Sequence, residues 1–216
     1  LAIPFGMLAV LGTYLIGTWL FPRPSFIAMT AAAFIAFQPQ ISYEAAMINN
    51  DILLIGFAAL LMALLVRGMR DRFPWRLCAG IGAVFGLMLL SKGSGVAFAA
   101  PIAVTAVLGL GIRNWRAWLP KGVAIAVIGF GLAAPWYLFL YRAYGNFSGL
   151  PQIARLQYGD TYDQGMKKPS VWELVWNKRF ARTRWNETWG EFGRRRLPFT
   201  HRLLWMIGIV GLSLLA

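Results

Sequence analysis

Apolar runs alternate with short polar connections along most of this 216-residue chain. The runs fall at roughly 1–21, 25–37, 51–66, 77–91, 94–112, 122–141 and 202–216. Most approach the roughly 20 helical residues needed to cross about 30 Å of hydrocarbon. The pattern predicts an all-α fold, a polytopic transmembrane helical bundle of about seven spans. The second run is short and stops before Gln38-Pro39-Gln40, where a broken or re-entrant turn is expected. The expected organisation is a transmembrane core of six spans over 1–141. A basic, Trp-rich extracytoplasmic segment over 142–201 and the start of a further span over 202–216 follow it.

The connections carry an orientation. The 67–76 stretch, RGMRDRFPWR, holds four arginines, and 113–121, RNWRAWLPK, holds Arg113, Arg116 and Lys121. Both are short and basic, so both are expected on the cytoplasmic side, and Arg23 agrees with them. Alternation then places 38–50, 91–95 and 142–201 on the opposite, extracytoplasmic side. Three polar features share that side: Glu44 with Asn49, Asn50 and Asp51; the SKGSG turn around Lys92; and the long hydrophilic segment. Within the spans, Gly82 and Gly86 form a small-xxx-small pair that allows close helix packing.

Composition confirms the class and narrows the partners. The chain is 58% hydrophobic and 13% charged, well beyond a soluble domain's apolar share. Its formal net charge is +13, from 21 Lys+Arg against 8 Asp+Glu. Basic residues that flank apolar spans point to membrane lipids or a phosphate-bearing lipid, not to nucleic acid. The single Cys78 excludes an intrachain disulfide, and one histidine, His201, excludes a multi-histidine metal site within these residues. The chain opens at Leu1 in mid-hydrophobic stretch, and a fragment of a longer polytopic protein is expected.

Each polar feature has a plain reading and a chemical one. Asp51 stands where a helix cap belongs, and capping alone would account for Asn or Asp there. Three polar residues exceed what one cap needs, however, and a carboxylate at the membrane is costly enough to imply orienting, cation-holding or proton-accepting work. Lys92 does not belong to a nucleotide-binding loop, because Ser91 precedes it and Gly93 follows. It is either a lysine snorkelling from a span end or a phosphate contact, with Gly93 and Gly95 letting backbone N–H groups approach the anion. The 142–201 segment adds Arg142, Arg155, Arg182 and the run Arg194-Arg195-Arg196, a set suited to headgroups or to covering a site. Trp172, Trp176, Trp185 and Trp189 recur there at helix-like spacing, as in a stretch lying along the membrane surface.

Taken in order, ISYEAAMINNDILL, GAVFGLMLLSKGSGVAFAAPIAV, APWYLFLYRAYGNFSGLP and WNETWGEFGRRRLPF resemble the GT-C superfamily of polytopic glycosyltransferases. The likeness is to family-39-like members related to protein O-mannosyltransferases and aminoarabinose transferases, and to their bacterial sister set. The resemblance implies a glycosyltransferase that takes sugar from a polyprenyl-phosphate donor. The acceptor is a glycan, lipid or protein on the extracytoplasmic face of a bacterial inner membrane. It implies a principal catalytic carboxylate in a first external loop ahead of Leu1, with Asp51 in support. Lys92, with Arg142 and Arg155, is implied near the donor phosphate. Glu44, Asn49, Asn50 and Trp189 are implied to line the site. No metal ligand set is recognised, although a divalent cation is compatible with the chemistry. Arg194 stands where the sister set's WG-x-FG element is followed by an aromatic residue. The rival reading is a polytopic transporter or lipid flippase; the absence of a repeated half and the clustering of polar groups on one face argue against it.

Overall fold

The computed structural model describes residues 2–23, 26–47 and 49–148, with 170, 177, 180–183, 191–192, 197–198, 205–206 and 209 beyond them. Seven α-helices account for nearly all of the first 144 residues. They are α1 (Ile3–Leu20), α2 (Phe26–Phe37), α3 (Pro39–Ala46), α4 (Asp51–Asp71), α5 (Trp75–Ser91), α6 (Ala99–Leu110) and α7 (Trp115–Tyr144). A 3-10 turn over Gly93–Phe98 leads directly into α6. The all-α expectation holds; the described exception is a two-residue antiparallel pairing of β1 (Glu191–Phe192) with β2 (Leu197–Pro198).

Among the described residues, four helical stretches are long and apolar enough to cross a membrane: α1, α4, the 3-10 turn continued by α6, and α7. Two further apolar helices, α2 and α5, are shorter, at 12 and 17 residues. The break expected at 38–40 is present and has a local cause. Gln38 adopts an extended backbone, its side-chain Oε1 accepts from Ile41 N at 2.6 Å, and Pro39 opens the next helix. The final apolar run, 202–216, lies almost wholly outside the described residues.

The chain divides into two compact units, residues 1–134 with 209–216, and residues 135–208, the division falling within α7 at Pro135. In the first unit the helices meet through small residues, because lipid removes the hydrophobic drive for helix association and close backbone approach must replace it. Gly12 of α1 lies against Ala59 of α4, where a Cβ would come within 2.7 Å of the Ala59 carbonyl carbon. Gly56 of α4 lies against the Phe5 backbone, and Gly17 of α1 against Ala28 of α2. The Gly82/Gly86 pair fulfils its packing role. A Cβ on Gly86 would lie 2.9 Å from the Gly129 carbonyl oxygen of α7, and one on Gly129 2.5 Å from the Phe85 ring. Large apolar side chains such as Phe37, Leu108 and Val127 remain exposed, as lipid-facing positions should.

The contacts also fix which polar segments share an end of this unit. Lys121 Nζ donates to the Arg72 carbonyl at 2.8 Å, Arg72 reaches the Gly109 carbonyl, and the Arg67 guanidinium lies 5.8 Å from the Trp19 ring centre. The arginine-rich turns predicted to face the same way therefore do gather at one end. Phe73 anchors that end: fully buried, with φ +52°, it fills a notch cut by Gly68 and Gly109. At the other end, the start of α4 meets the end of α5. The 21 residues of α4 separate the two ends by about 31 Å at roughly 1.5 Å per residue.

Candidate functional site

The polar end is assembled from α3, the first turn of α4 and the last turn of α5. Helix α4 needs partners for its opening N–H groups. Asn49 supplies them: its Oδ1 accepts from Asp51 N at 3.1 Å and Ile52 N at 3.3 Å. The cap expected of Asp51 thus falls to Asn49, two residues earlier, in an Asx-type turn. Asp51 is left with a free choice of partner, and its carboxylate accepts from Lys92 Nζ. Its charge also complements the positive end of the α4 dipole.

Lys92 is positioned by the termination of α5. Its backbone is extended at φ −159° and ψ 134°, its N–H closes the helix onto Met88 O at 3.0 Å, and the chain turns into the 3-10 segment. Gly95, buried, lets that segment fold back on the helix end, where a Cβ would come 3.0 Å from the Met88 carbonyl. Asn50 ties the two helices together, its Nδ2 donating 3.0 Å to the Ser91 carbonyl, one of the acceptors α5 leaves open at its end. Sequence positions 41 apart are thereby joined twice, through Asn50–Ser91 and Asp51–Lys92.

Glu44 sits one step away. Gln40 Nε2 donates to its Oε1 at 2.9 Å, and Asn49 Nδ2 donates to its Oε2. Asn49 therefore couples the Glu44 carboxylate to the cap of α4, with one side chain serving both. Gln40 was not singled out from sequence, although its i,i+4 spacing to Glu44 just after Pro39 is the signal that locates it. Gln40 Oε1 is buried and has no hydrogen-bond partner. An orphan acceptor of that kind costs about 1–3 kcal/mol until something donates to it.

The Asp51–Lys92 pair contributes little to holding the fold together. Both side chains are about two-fifths exposed, and exposed ion pairs are worth roughly 0–1 kcal/mol. Its consequence is chemical: a cation and a carboxylate are held in contact at a helix N-terminus, open to solvent. Arg142, exposed in the last turn of α7, belongs to the second compact unit. Arg155 and Trp189 lie outside the described residues. Among the described residues no three His, Cys, Asp or Glu side chains converge as metal ligands. Within the cluster, Glu44 is engaged by two amides and Asp51 by an ammonium.

Asn49→Ala should loosen this end, since it removes the α4 cap and a Glu44 partner together. A loss of about 1 kcal/mol is expected for the cap. Hydrogen exchange should localise the effect to the Asp51 and Ile52 amides; unchanged protection there would assign the cap elsewhere.

The comparisons with known proteins bear on the same stretch. The family model described as dolichyl-phosphate-mannose-protein mannosyltransferase matches residues 1–139, well over half of the chain. No curated protein and no solved structure gives a match. The matched stretch contains every described member of the polar cluster, from Gln40 to Lys92, and all four membrane-length helices except the last residues of α7. The chain therefore belongs to the dolichyl-phosphate-mannose-protein mannosyltransferase family, and it is an integral membrane glycosyltransferase of the GT-C type.

Proposed function

We propose that this enzyme moves a sugar from a polyprenyl-phosphate donor to a glycan, lipid or protein acceptor on the extracytoplasmic face of a bacterial inner membrane. The observation that carries the reading is the Asp51–Lys92 contact, at the end of the unit opposite the arginine-rich turns. Under the positive-inside rule those turns stay cytoplasmic, and the polar end faces out.

The chemistry follows from the charges. Transfer breaks the bond between the sugar's anomeric carbon and the carrier phosphate oxygen, leaving negative charge on the phosphate. The Lys92 ammonium stabilises that developing charge, as a fixed cation does best in a preorganised site. The acceptor hydroxyl forms the new bond to the anomeric carbon and gives up a proton. Asp51, released from Lys92 when phosphate takes its place, supports the principal catalytic carboxylate that the family resemblance implies as acceptor of that proton. Glu44, held by Gln40 on one oxygen and Asn49 on the other, lines the site beside the pair.

Sealed vesicles test the reading. A cysteine placed at position 92 in a Cys78→Ser background should react with an impermeant maleimide from the extracytoplasmic side. The unmodified enzyme should transfer sugar from the polyprenyl-phosphate donor and not from a nucleotide sugar. Labelling only from the cytoplasm would overturn the orientation; use of the nucleotide sugar alone would overturn the donor.

A further inference from the structure

The arginine-rich end carries a second feature that sugar transfer does not use. Trp19, near the end of α1, and Arg67, Arg70 and Asp71, in the last turns of α4, line an open cavity of about 330 Å³. That volume lies at the lower end of the roughly 300–1,000 Å³ typical of small-ligand sites. We propose that this cavity binds the phosphate headgroup of an anionic membrane lipid.

The side chains are arranged to hold one anion. Asp71 accepts from Arg67 Nε at 3.2 Å, and the Trp19 ring lies against the guanidinium 5.8 Å away. These two contacts engage the Nε and a face of the Arg67 guanidinium, a group whose Nη atoms can meet phosphate with two parallel bonds. Arg70 stands on the same helix three residues on, which puts both guanidiniums on one face. Among the described residues it has no carboxylate partner. Two cations face one carboxylate, so the cavity keeps a positive charge after its internal pairing.

Depth in the membrane selects a lipid as the source of the phosphate. Trp19 and Arg67 to Asp71 close two membrane-length helices, α1 of 18 residues and α4 of 21. Helices of about 27 and 31 Å end at headgroup level, where tryptophan is enriched and where lipid phosphates are concentrated. The site lies at the end of the unit remote from Asp51 and Lys92, so occupancy of one does not require occupancy of the other.

Native mass spectrometry of the whole protein released from nanodiscs of mixed phosphatidylglycerol and phosphatidylcholine tests this. The wild-type protein should retain phosphatidylglycerol in preference, and Arg70→Gln should lower that retention about tenfold, as should Arg67→Gln. Arg113→Gln, which removes the same charge outside the cavity, should leave it unchanged. Among the described residues Arg70 has no carboxylate partner, so Arg70→Gln decides the matter even if Arg67→Gln fails to fold. Equal loss with Arg113→Gln would mean diffuse charge attraction, and wild-type retention in Arg70→Gln would mean no site; either overturns the proposal. Displacement of the lipid by millimolar inorganic phosphate would assign the cavity to a soluble anion and overturn the lipid as occupant.

Discussion

Lys92→Ala should lower sugar transfer by about 10²–10³-fold, the loss typical when one preorganised stabiliser of developing negative charge is removed. Lys92 is exposed at the end of α5 and its half-exposed pair with Asp51 adds little to stability, so the variant should insert and unfold like the parent. Asp51→Asn should also depress transfer strongly, but in a different way. Asparagine keeps the size of the side chain and leaves the Asn49 cap of α4 intact, while it releases the Lys92 ammonium from its carboxylate. Donor KM should therefore stay level or fall in Asp51→Asn, with the loss concentrated in kcat. In Lys92→Ala, the donor KM should rise and kcat fall together. Near-normal transfer by both variants would remove this end of the bundle from the chemistry. A matching rise in donor KM for both would reduce Asp51 to a simple orienting partner of Lys92.

The fold class was legible because lipid imposes a coarse rule that sequence expresses openly: long apolar runs with basic turns between them. The register of the arginine-rich turns and the Gly82/Gly86 contact followed from the same rule. The cluster around Asp51 was legible only in part. Asn49, Asn50 and Asp51 read alike from sequence, since all three suit a helix start, and the division of labour among them depends on backbone turn geometry. In the structure Asn49 caps, Asn50 crosses to Ser91, and Asp51 meets Lys92. Lys92 and Asp51 are 41 residues apart, and no periodicity links them; only the antiparallel packing of α4 on α5 does. Gln40 escaped notice because a lone glutamine carries no chemical signal until its i,i+4 spacing to Glu44 on the one short helix α3 is read.

Gly12→Leu should be among the most damaging single changes to the bundle outside the polar end. Even a Cβ at position 12 would stand 2.7 Å from the Ala59 carbonyl carbon and 2.8 Å from its oxygen, and these are backbone atoms of α4 that cannot rotate aside. The helices must separate, and the same movement opens the neighbouring contact between Gly56 and the Phe5 backbone and the edge-on packing of Phe5 on Phe57. Overpacking of this kind costs typically 1–3 kcal/mol, and the absence of a yielding side chain places the expected loss at about 3 kcal/mol. In detergent, thermal unfolding followed by tryptophan fluorescence should shift to markedly lower temperature. Gly80→Leu makes the comparison, because a Cβ at position 80 meets nothing within 4 Å, so that variant should unfold close to the parent. Equal destabilisation by the two substitutions would show that leucine burdens any of these helices alike. A selective loss at position 12 would instead mean that α4, and with it the Asp51 end of the site, is held in place by a glycine-wide gap on α1.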